Sequence, residues 1–324
     1  MTTPTFRLFF VLCLAFTLGG CASSALQTTT PSSPRPMHHG PSAGHAPRIV
    51  AHRGGTADAP ENTLLAIATA LRNGADMMWL SVQLSADGVP VLYRPRDLSA
   101  LTNRQGAVSS MTLAQLQALN AGFAFRDATG AFPYRTQPQR IPTLAEALAA
   151  IPASMPVMLD MKAEASQALV DGVAAVLASS RAWNRVWLYS TDAAFAPLWA
   201  RHPQAQVMET RDATRQRLLD VVLAQRCEPP TAPGWAGFEV RRNVEVSERF
   251  TLGVGRTSVK GAQLWTPEAM ACFRSGTHRL SVMWFIDGEA DYRQAAEFGV
   301  DAVMVNSPRE ARQWRANVAR HTRP

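Results

Sequence analysis

The sequence predicts an α/β fold, a single-domain (β/α)8 barrel with an insertion after its second strand, on three observations. A short apolar run at residues 49–51 ends in the sequence HRGG at 52–55, and an apolar-periodic segment follows at 64–71, which is the pattern of a strand, a loop and a helix. Eight such apolar runs occur along the chain, most of them alternating with helical stretches. The 324 residues, 47% of them hydrophobic, suffice for one barrel, which takes about 250 residues.

The strands are identified by short runs rich in β-branched, aromatic and other apolar residues. They are predicted at residues 48–52, 77–83, 157–161, 186–190, 205–208, 237–240, 280–286 and 302–305. A further extended piece at 89–93 follows an Asp-Gly turn. Thr143 with Glu146 three residues later has the pattern of a capping box, which predicts that a helix begins there and runs to Ala150.

Residues 103–140 interrupt the strand–helix alternation and have no clean period. They contain one predicted short helix at 111–119 and a loop rich in Gly and aromatic residues at 123–135. This stretch is too long for an ordinary connection, so we expect a lid or insertion over the barrel mouth. The barrel is predicted to span residues 48–315, followed by a basic tail at 316–324.

The N-terminus has the features of a targeting segment. Arg7 precedes an apolar run at 8–18, which is too short to anchor the chain across a bilayer. The run ends in LGGC, which looks like a bacterial lipobox. We predict a lipoprotein signal peptide at 1–20 and lipidation of Cys21, with an ordinary secretory signal cut elsewhere as the alternative. Since Ala22 follows rather than Asp, we expect a protein of the bacterial cell envelope that is lipid-anchored and periplasm-facing, with the outer membrane favoured.

Residues 21–47 are rich in Ser, Thr and Pro and predict a flexible tether, because they offer little apolar surface to bury. Its histidines, His38, His39 and His45, belong either to a solvated linker or to a metal-binding tract. Cys227 and Cys272 lie in the predicted barrel. Export permits a disulfide between them, and two free thiols remain the alternative.

The chain is basic, with a net charge of +7 and a pI of about 9.8. A basic surface suits anionic lipid, an anionic substrate or nucleic acid. No dense Lys/Arg block with interleaved aromatics occurs, so no nucleic-acid binding is expected. The sequence also lacks a Walker loop, a dinucleotide fingerprint and a G-x-S-x-G elbow, which argues against three large enzyme classes.

The sequence HRGG followed by PENT at residues 60–63 resembles the opening motif of the glycerophosphodiester phosphodiesterase family. The resemblance continues through residues 48–310, at GAD, LSADG, IPTL, DMK, Trp284 and GVD. It implies a TIM barrel, hydrolysis of glycerophosphodiesters in lipid metabolism, and a divalent metal, Ca²⁺ or Mg²⁺. It also implies that Trp284 lies at the substrate mouth. A position of Trp284 in the core is an equally plausible alternative.

The resemblance implies four carboxylates that hold the metal, since hard cations take several oxygen ligands. Glu61 in PENT matches the first of them, and Asp160 matches the fourth with a shorter side chain. Trp79 and Ser81 stand at the two positions between them. A cation would therefore lose two of its four anionic ligands. Asp97 and Glu239 are spare carboxylates that can be considered as replacements.

The resemblance also implies two histidines that handle protons. His52 matches the first, and Arg94 stands at the second, where a guanidinium of pKa above 12 cannot deliver a proton at neutral pH. Arg53, Lys162 and Arg94 are candidate phosphate-binding cations. The alternatives are that Arg53 only pairs with Glu61 or Asp160, that Lys162 only pairs with Asp160, and that Trp79 belongs to the core.

Two functions follow from these residues. One is a phosphodiesterase acting on deacylated phospholipid headgroups, with His52 as the proton carrier and a rebuilt metal site. The other is a catalytically impaired barrel that binds a phosphate-containing ligand, or an envelope partner, without metal.

Overall fold

The structure is a computed structural model, and it describes residues 46–321. The predicted signal peptide, Cys21, most of the tether and residues 322–324 lie outside the described residues. Within the described range, no helix is both long and apolar enough to cross a bilayer.

The strands form a nearly closed parallel barrel, as predicted. In chain order they are β1 (Arg48–His52), β2 (Met77–Leu84), β3 (Pro90–Leu92), β4 (Val157–Met161), β5 (Val186–Tyr189), β6 (Gln206–Val207), β7 (Gly234–Glu239), β8 (Arg242–Phe250), β9 (Gly253–Ala262), β10 (Leu280–Phe285) and β11 (Ala302–Val305). The wall has the order β6-β5-β4-β2-β1-β11-β10-β7, and β3 pairs antiparallel with β2. Between β6 and β7 the Glu209 N–H donates to the Trp235 carbonyl oxygen at 2.9 Å.

Helices cover the outside of the wall. They are α1 (Leu64–Arg72), α2 (Leu113–Gln117), α3 (Leu144–Ala150), α4 (Gln167–Ser179), α5 (Phe195–Leu198), α6 (Arg211–Ala224), α7 (Pro267–Phe273), α8 (Glu289–Glu297) and α9 (Pro308–His321). The predicted capping box is confirmed: the Thr143 hydroxyl accepts from the Glu146 N–H, and the Glu146 carboxylate accepts from the Thr143 N–H. Helix α9 extends into the segment predicted as the tail, and its Val318 is buried.

The strands of the barrel wall are largely buried on both faces, as expected for a parallel sheet covered by helices. One cluster of buried side chains, rich in Met and aromatic residues, fills the barrel interior: Val50, Met77, Trp79, Met158, Tyr189, Met208, Trp235, Met283, Ala302 and Met304. Two further clusters lie between the wall and the helices. Successive residues of each strand therefore point alternately into the barrel interior and toward the helices. The interior layer of side chains ends at the barrel mouth.

The insertion after β2 is present and has a small core of its own. It contains α2 and three short 3₁₀ turns, Leu98–Ala100, Val108–Ser110 and Pro133–Arg135. Its buried side chains form a separate cluster: Val91, Tyr93, Leu98, Val108, Leu116, Ala121 and Ile141. The long aperiodic segment is therefore a packed unit beside the mouth.

The largest departure from the sequence prediction is the hairpin formed by β8 and β9, which we call the β8–β9 arm. The sequence prediction ended a strand at 240 and placed no strand before 280, whereas the arm runs from Arg242 to Ala262 as a separate antiparallel sheet. The alternation of apolar and polar residues from Val244 onward is typical of a strand, but the sequence prediction did not include it. The turn lacks the Asn-Gly or Asp-Gly pair that marks many hairpins, which concealed it.

Cys227 and Cys272 form a disulfide, which resolves the two alternatives left by the sequence. It joins the segment after α6 to α7 and closes a sequence separation of 45 residues.

Candidate functional site

The carboxyl ends of the barrel strands bring the predicted site residues together. His52 ends β1, Asp160 lies near the end of β4, Lys162 follows β4, and Arg94 follows β3. The charges of Arg94 and Lys162 act on both His52 and Asp160, which places the four groups at one mouth. This is the end of a (β/α)8 barrel at which active sites are built.

The HRGG and PENT sequences fold the β1–α1 loop back on itself. Arg53 and Asn62 have φ angles of 53° and 57°, and the Asn62 N–H donates to the Arg53 carbonyl oxygen at 2.8 Å. A Cβ on Gly54 would lie 2.8 Å from the Ala66 Cβ in α1, so glycine permits this close approach. The Asn62 side-chain oxygen accepts from the Ser81 N–H at 3.0 Å and ties the loop to β2.

Both ring nitrogens of His52 have partners. Nδ1 lies 2.8 Å from the Asn306 side-chain oxygen, and Nε2 accepts from the Arg53 Nε–H at 3.1 Å. Because Arg53 can only donate, these partners assign the ring proton to Nδ1 and leave Nε2 as the acceptor. Asn306 was missed by the sequence reasoning. Its signal was a polar side chain directly after the last apolar strand.

The pKa of His52 is lowered from 6.5 to about 4, first by burial and then by the positive charge of Arg53. The hydrogen bond to Asn306 opposes this shift, whereas Arg94 and Lys162 add to it. The imidazole is therefore neutral at physiological pH. It can accept a proton at Nε2, but it has none to give to a leaving group until it has accepted one.

Each of the two predicted metal-ligand carboxylates is paired with a cation. Glu61 forms an ion pair with Arg53, and Lys162 Nζ lies 3.0 Å from Asp160 Oδ1. Burial raises the pKa of Asp160, while Lys162 and a hydrogen bond from the Trp79 side chain oppose the rise. The ion-pair alternatives considered for Arg53 and Lys162 are thus present in the structure.

The residues at the mouth do not fit a divalent metal. Among residues 46–321, no group of three His, Cys, Asp or Glu side chains is placed to hold a metal ion. Trp79 and the buried Ser81 occupy the positions where the resemblance implies carboxylates. Glu61 and Asp160 each keep one buried oxygen without a hydrogen-bond partner, with the Lys162 ammonium beside that of Asp160, and two such oxygens are far from the oxygen cage that Ca²⁺ or Mg²⁺ takes.

Trp79 belongs to the barrel interior and closes it below the mouth. The side chain is 3% exposed, and its ring centroid lies 5.0 Å from that of Tyr189 and 5.9 Å from that of Phe285.

The resemblance implied that Trp284 lies at the substrate mouth, but in the structure it does not. It is fully buried on the helix-facing side of β10, with ring centroids 6.0 Å from Trp265 and 5.3 Å from Phe298. Successive residues of a strand point to opposite faces of the sheet. The residue of β10 that faces Trp79 in the barrel interior is therefore the next one, Phe285.

A second charged cluster, also missed by the sequence reasoning, flanks the mouth at β7. One guanidinium nitrogen of Arg211 lies 2.8 and 2.7 Å from the two Glu239 oxygens, and Arg242 lies 2.8 Å from one of them. Glu239 is therefore held by two cations and is not a spare metal ligand. Asp97 instead accepts the N–H groups of Ser99 and Gly106.

Two cavities open at the mouth. The larger, of about 650 Å³, lies beside the insertion, and its polar lining consists of Gln83, Ser85, Arg94, Arg96, Ser109, Lys162, Glu164, Ser166 and Asp192. The smaller, of about 310 Å³, includes His52, Glu239 and Asn306. Arg94 is exposed in the larger cavity, and among the described residues no carboxylate pairs with it. It is thus a cation available to a ligand.

The fold and the mouth define an α/β-barrel protein whose polar groups meet at the carboxyl ends of its strands. The model of the glycerophosphoryl diester phosphodiesterase family matches residues 52–194. The uncharacterized protein Rv2277c of Mycobacterium tuberculosis is 48% identical over 271 residues, which cover 83% of this chain and 90% of that protein. Human glycerophosphodiester phosphodiesterase 1 is 37% identical over 120 residues, which cover 37% of this chain and 35% of the human protein.

Solved structures agree with the sequence relatives. The glycerophosphoryl diester phosphodiesterase domain of Rv2277c has a TM-score of 0.79 and 48% identity, with 84% of this chain and 100% of that chain covered. An Oleispira antarctica phosphodiesterase, solved with its product sn-glycerol-3-phosphate, has a TM-score of 0.58 and 21% identity over 84% of this chain and 97% of that one. The latter shows the shared fold alone. The chain belongs to the glycerophosphodiester phosphodiesterase family.

Proposed function

We propose that the barrel mouth binds the phosphate of a glycerophosphodiester through fixed cations, without a divalent metal, and that cleavage is slow. The observation that carries this proposal is the pairing at the mouth. Both candidate metal carboxylates, Glu61 and Asp160, are already matched to a cation, while Arg94 has no carboxylate partner among the described residues. An anion entering there meets net positive charge.

The charges at the mouth explain the preference for an anion. Arg53, Arg94 and Lys162 face Glu61 and Asp160, which gives a net charge of +1 with His52 neutral. The three cations that lower the pKa of His52 would disfavour a metal ion at the same place. At about 4 Å and an effective dielectric near 20, each unit-charge contact is worth about 4 kcal/mol before desolvation.

The relatives support the ligand class. Family membership suggests a phosphoric diester hydrolase, and the Oleispira protein binds a glycerol phosphate. Arg94 and Lys162 line the larger cavity, which has room for a phosphate with a small organic group attached. The guanidinium of Arg94 offers several N–H donors in one plane, a geometry that suits a phosphate oxygen pair.

Calorimetric titration with glycerophosphocholine tests the proposal, with EDTA present and then with Ca²⁺ or Mg²⁺. We expect binding in EDTA and little gain from either metal. Arg94→Gln should weaken binding about three- to tenfold, since Arg94 is exposed and screened. Arg72→Gln, at the opposite end of the barrel at the end of α1, is the matched control. Binding that requires the metal would refute the proposal.

A phosphodiesterase whose activity depends on His52 is the second candidate, because Nε2 of the neutral ring can accept a proton. In that case Nε2, once the Arg53 N–H has moved off it, takes a proton from an attacking water as the water oxygen bonds to phosphorus, and returns it to the leaving alkoxide as that P–O bond breaks. Release of glycerol 3-phosphate, compared between the native chain and His52→Ala, distinguishes the two candidates. Equal background release from both supports pure binding, whereas release lost in His52→Ala supports catalysis.

We further propose that the chain is a lipoprotein of the cell envelope with a role in lipid metabolism, anchored through Cys21. The support is the lipobox-like LGGC and the tether-like segment that follows it. Metabolic labelling with a fatty acid should mark the native chain and not Cys21→Ser. Labelling of both would contradict the assignment.

A further inference from the structure

We propose that the β8–β9 arm docks the barrel mouth onto an anionic lipid surface by inserting its apolar tip. The arm directly follows β7 at that strand's carboxyl end, so it begins at the mouth. Arg242 at its first position is held to Glu239 of the mouth cluster. This inference does not depend on the mouth binding phosphate.

Among the described residues, the exposed apolar side chains of the arm are left uncovered. Seven large hydrophobic side chains are exposed among the described residues, and five of them lie on the arm: Val246, Phe250, Leu252, Val254 and Val259. Leu252 at the turn is 99% exposed and Phe250 is 57% exposed. Scattered apolar residues are normal on a surface, but a concentration of this kind marks an interaction site.

The charge of the arm selects an anionic partner. Between residues 242 and 262 there are four cations and two acids, a net charge of +2, and three of the cations lie beyond Arg242, which is paired with Glu239. A second copy of the chain would bring the same positive charge against itself, which disfavours pairing of two arms. A surface of anionic headgroups attracts it, at about 1 kcal/mol for each Lys or Arg close to the surface.

The strand register sets the depth of insertion. Arg249 pairs with Val254 and Ser247 with Arg256, so the two arginines lie one and three pairs behind the Phe250–Gly253 end. At about 3.3 Å for each residue, Arg256 is about 10 Å from the tip, the depth at which interfacial segments meet headgroups. Arginine stems can lie along acyl chains while their heads stay at the headgroups.

Glu248, opposite Gly255, limits the insertion to the last few residues. The buried part is therefore the tip from Arg249 to Val254, led by Phe250 and Leu252. An aromatic ring and a leucine at the boundary of headgroup and acyl chain are typical of interfacial anchors. The mouth then faces the membrane, where headgroup-derived ligands occur.

Vesicle co-sedimentation tests this with the full chain carrying Cys21→Ser, which removes the proposed lipid. The vesicles are pure phosphatidylcholine or an equimolar mixture of phosphatidylglycerol and phosphatidylcholine. We expect binding to the mixture and weak binding to phosphatidylcholine. Adding Phe250→Ser and Leu252→Ser should lower the partition constant about tenfold for each side chain.

Leu223→Ser is the matched control, since Leu223 is 68% exposed near the end of α6 and is not part of the arm. Equal binding by the tip variant and the control would overturn the proposal. So would a change in the sedimentation coefficient of the tip variant without vesicles, which would assign the tip to a second copy. The glycerophosphocholine titration of the tip variant should match that of the native chain, so the two proposals can fail separately.

Discussion

The pKa of His52 makes stability depend on pH in a window that can be stated in advance. The folded-state pKa is about 4, and the unfolded value is 6.5. Between these values the unfolded chain binds more protons than the folded chain. The contribution of His52 is therefore fully present above pH 6.5 and is lost as the pH falls toward 4. The difference corresponds to about 3 kcal/mol.

Denaturant unfolding of the native chain and of His52→Gln at several pH values measures this contribution of His52 to the free energy of unfolding. The stability difference between the two proteins should fall by about 3 kcal/mol from pH 7 to pH 4. His278→Gln removes an exposed histidine and should show no comparable change. Comparing the two variants separates the contribution of His52 to the pH dependence of stability from that of the carboxylates, which also bind protons in acid.

Proton NMR of the His52 ring gives the pKa directly. A midpoint near 4 supports the assignment of a buried neutral imidazole between Arg53 and Asn306. A midpoint at or above 6 would refute it, and with it the conclusion that Nε2 of His52 is unprotonated at neutral pH. At pH 7 a group of pKa about 4 is protonated in about one molecule in a thousand.

Three further changes test the packing around the site, each by chemical denaturation. Trp79→Ala should lower the free energy of unfolding by about 3–5 kcal/mol and Trp79→Phe by less, and equal losses would contradict a filled interior. Gly54→Ala should cost about 1–3 kcal/mol, because the new Cβ meets Ala66 at 2.8 Å; a neutral result would show that the loop can shift. Cys227→Ser, which leaves Cys272 reduced, should cost about 4 kcal/mol for a 45-residue closure, and an unchanged midpoint would argue against the disulfide.

The barrel could be predicted because its strands are apolar on both faces, so they appear as short hydrophobic runs. Ile49, Val50 and Ala51 belong to three different clusters in the structure, which explains why this strand shows no alternation. The capping box at Thr143 could also be predicted, because it depends only on two residues that lie three apart in the sequence. The arm was missed because most of its residues are exposed, so no continuous hydrophobic run marks it.

The site could be assembled from the sequence only in part. The positions of His52, Arg94 and Asp160 followed from the motifs, and the Asp160–Lys162 pair was among the alternatives, but the Asn306 partner of His52 and the Arg211 partner of Glu239 did not. Asn306 comes from the far end of the chain, and Arg211 comes from a helix with no motif. Such contacts depend on how the barrel closes, and closure is not visible in local patterns. Trp284 shows the same limit, because a shift of one residue along a strand reverses the face of the sheet.

The shortness of β6 gives the barrel wall a weak seam. Only two residues of β6 pair with β5, and the other side is joined to β7 through the Glu209 amide. The Arg211–Glu239 ion pair crosses the same gap from α6 to the end of β7. Part of the cohesion there is thus ionic, and salt weakens it. Amide hydrogen exchange should begin at this seam, so that the cylinder opens at one place while the β1–β2–β4 segment stays closed.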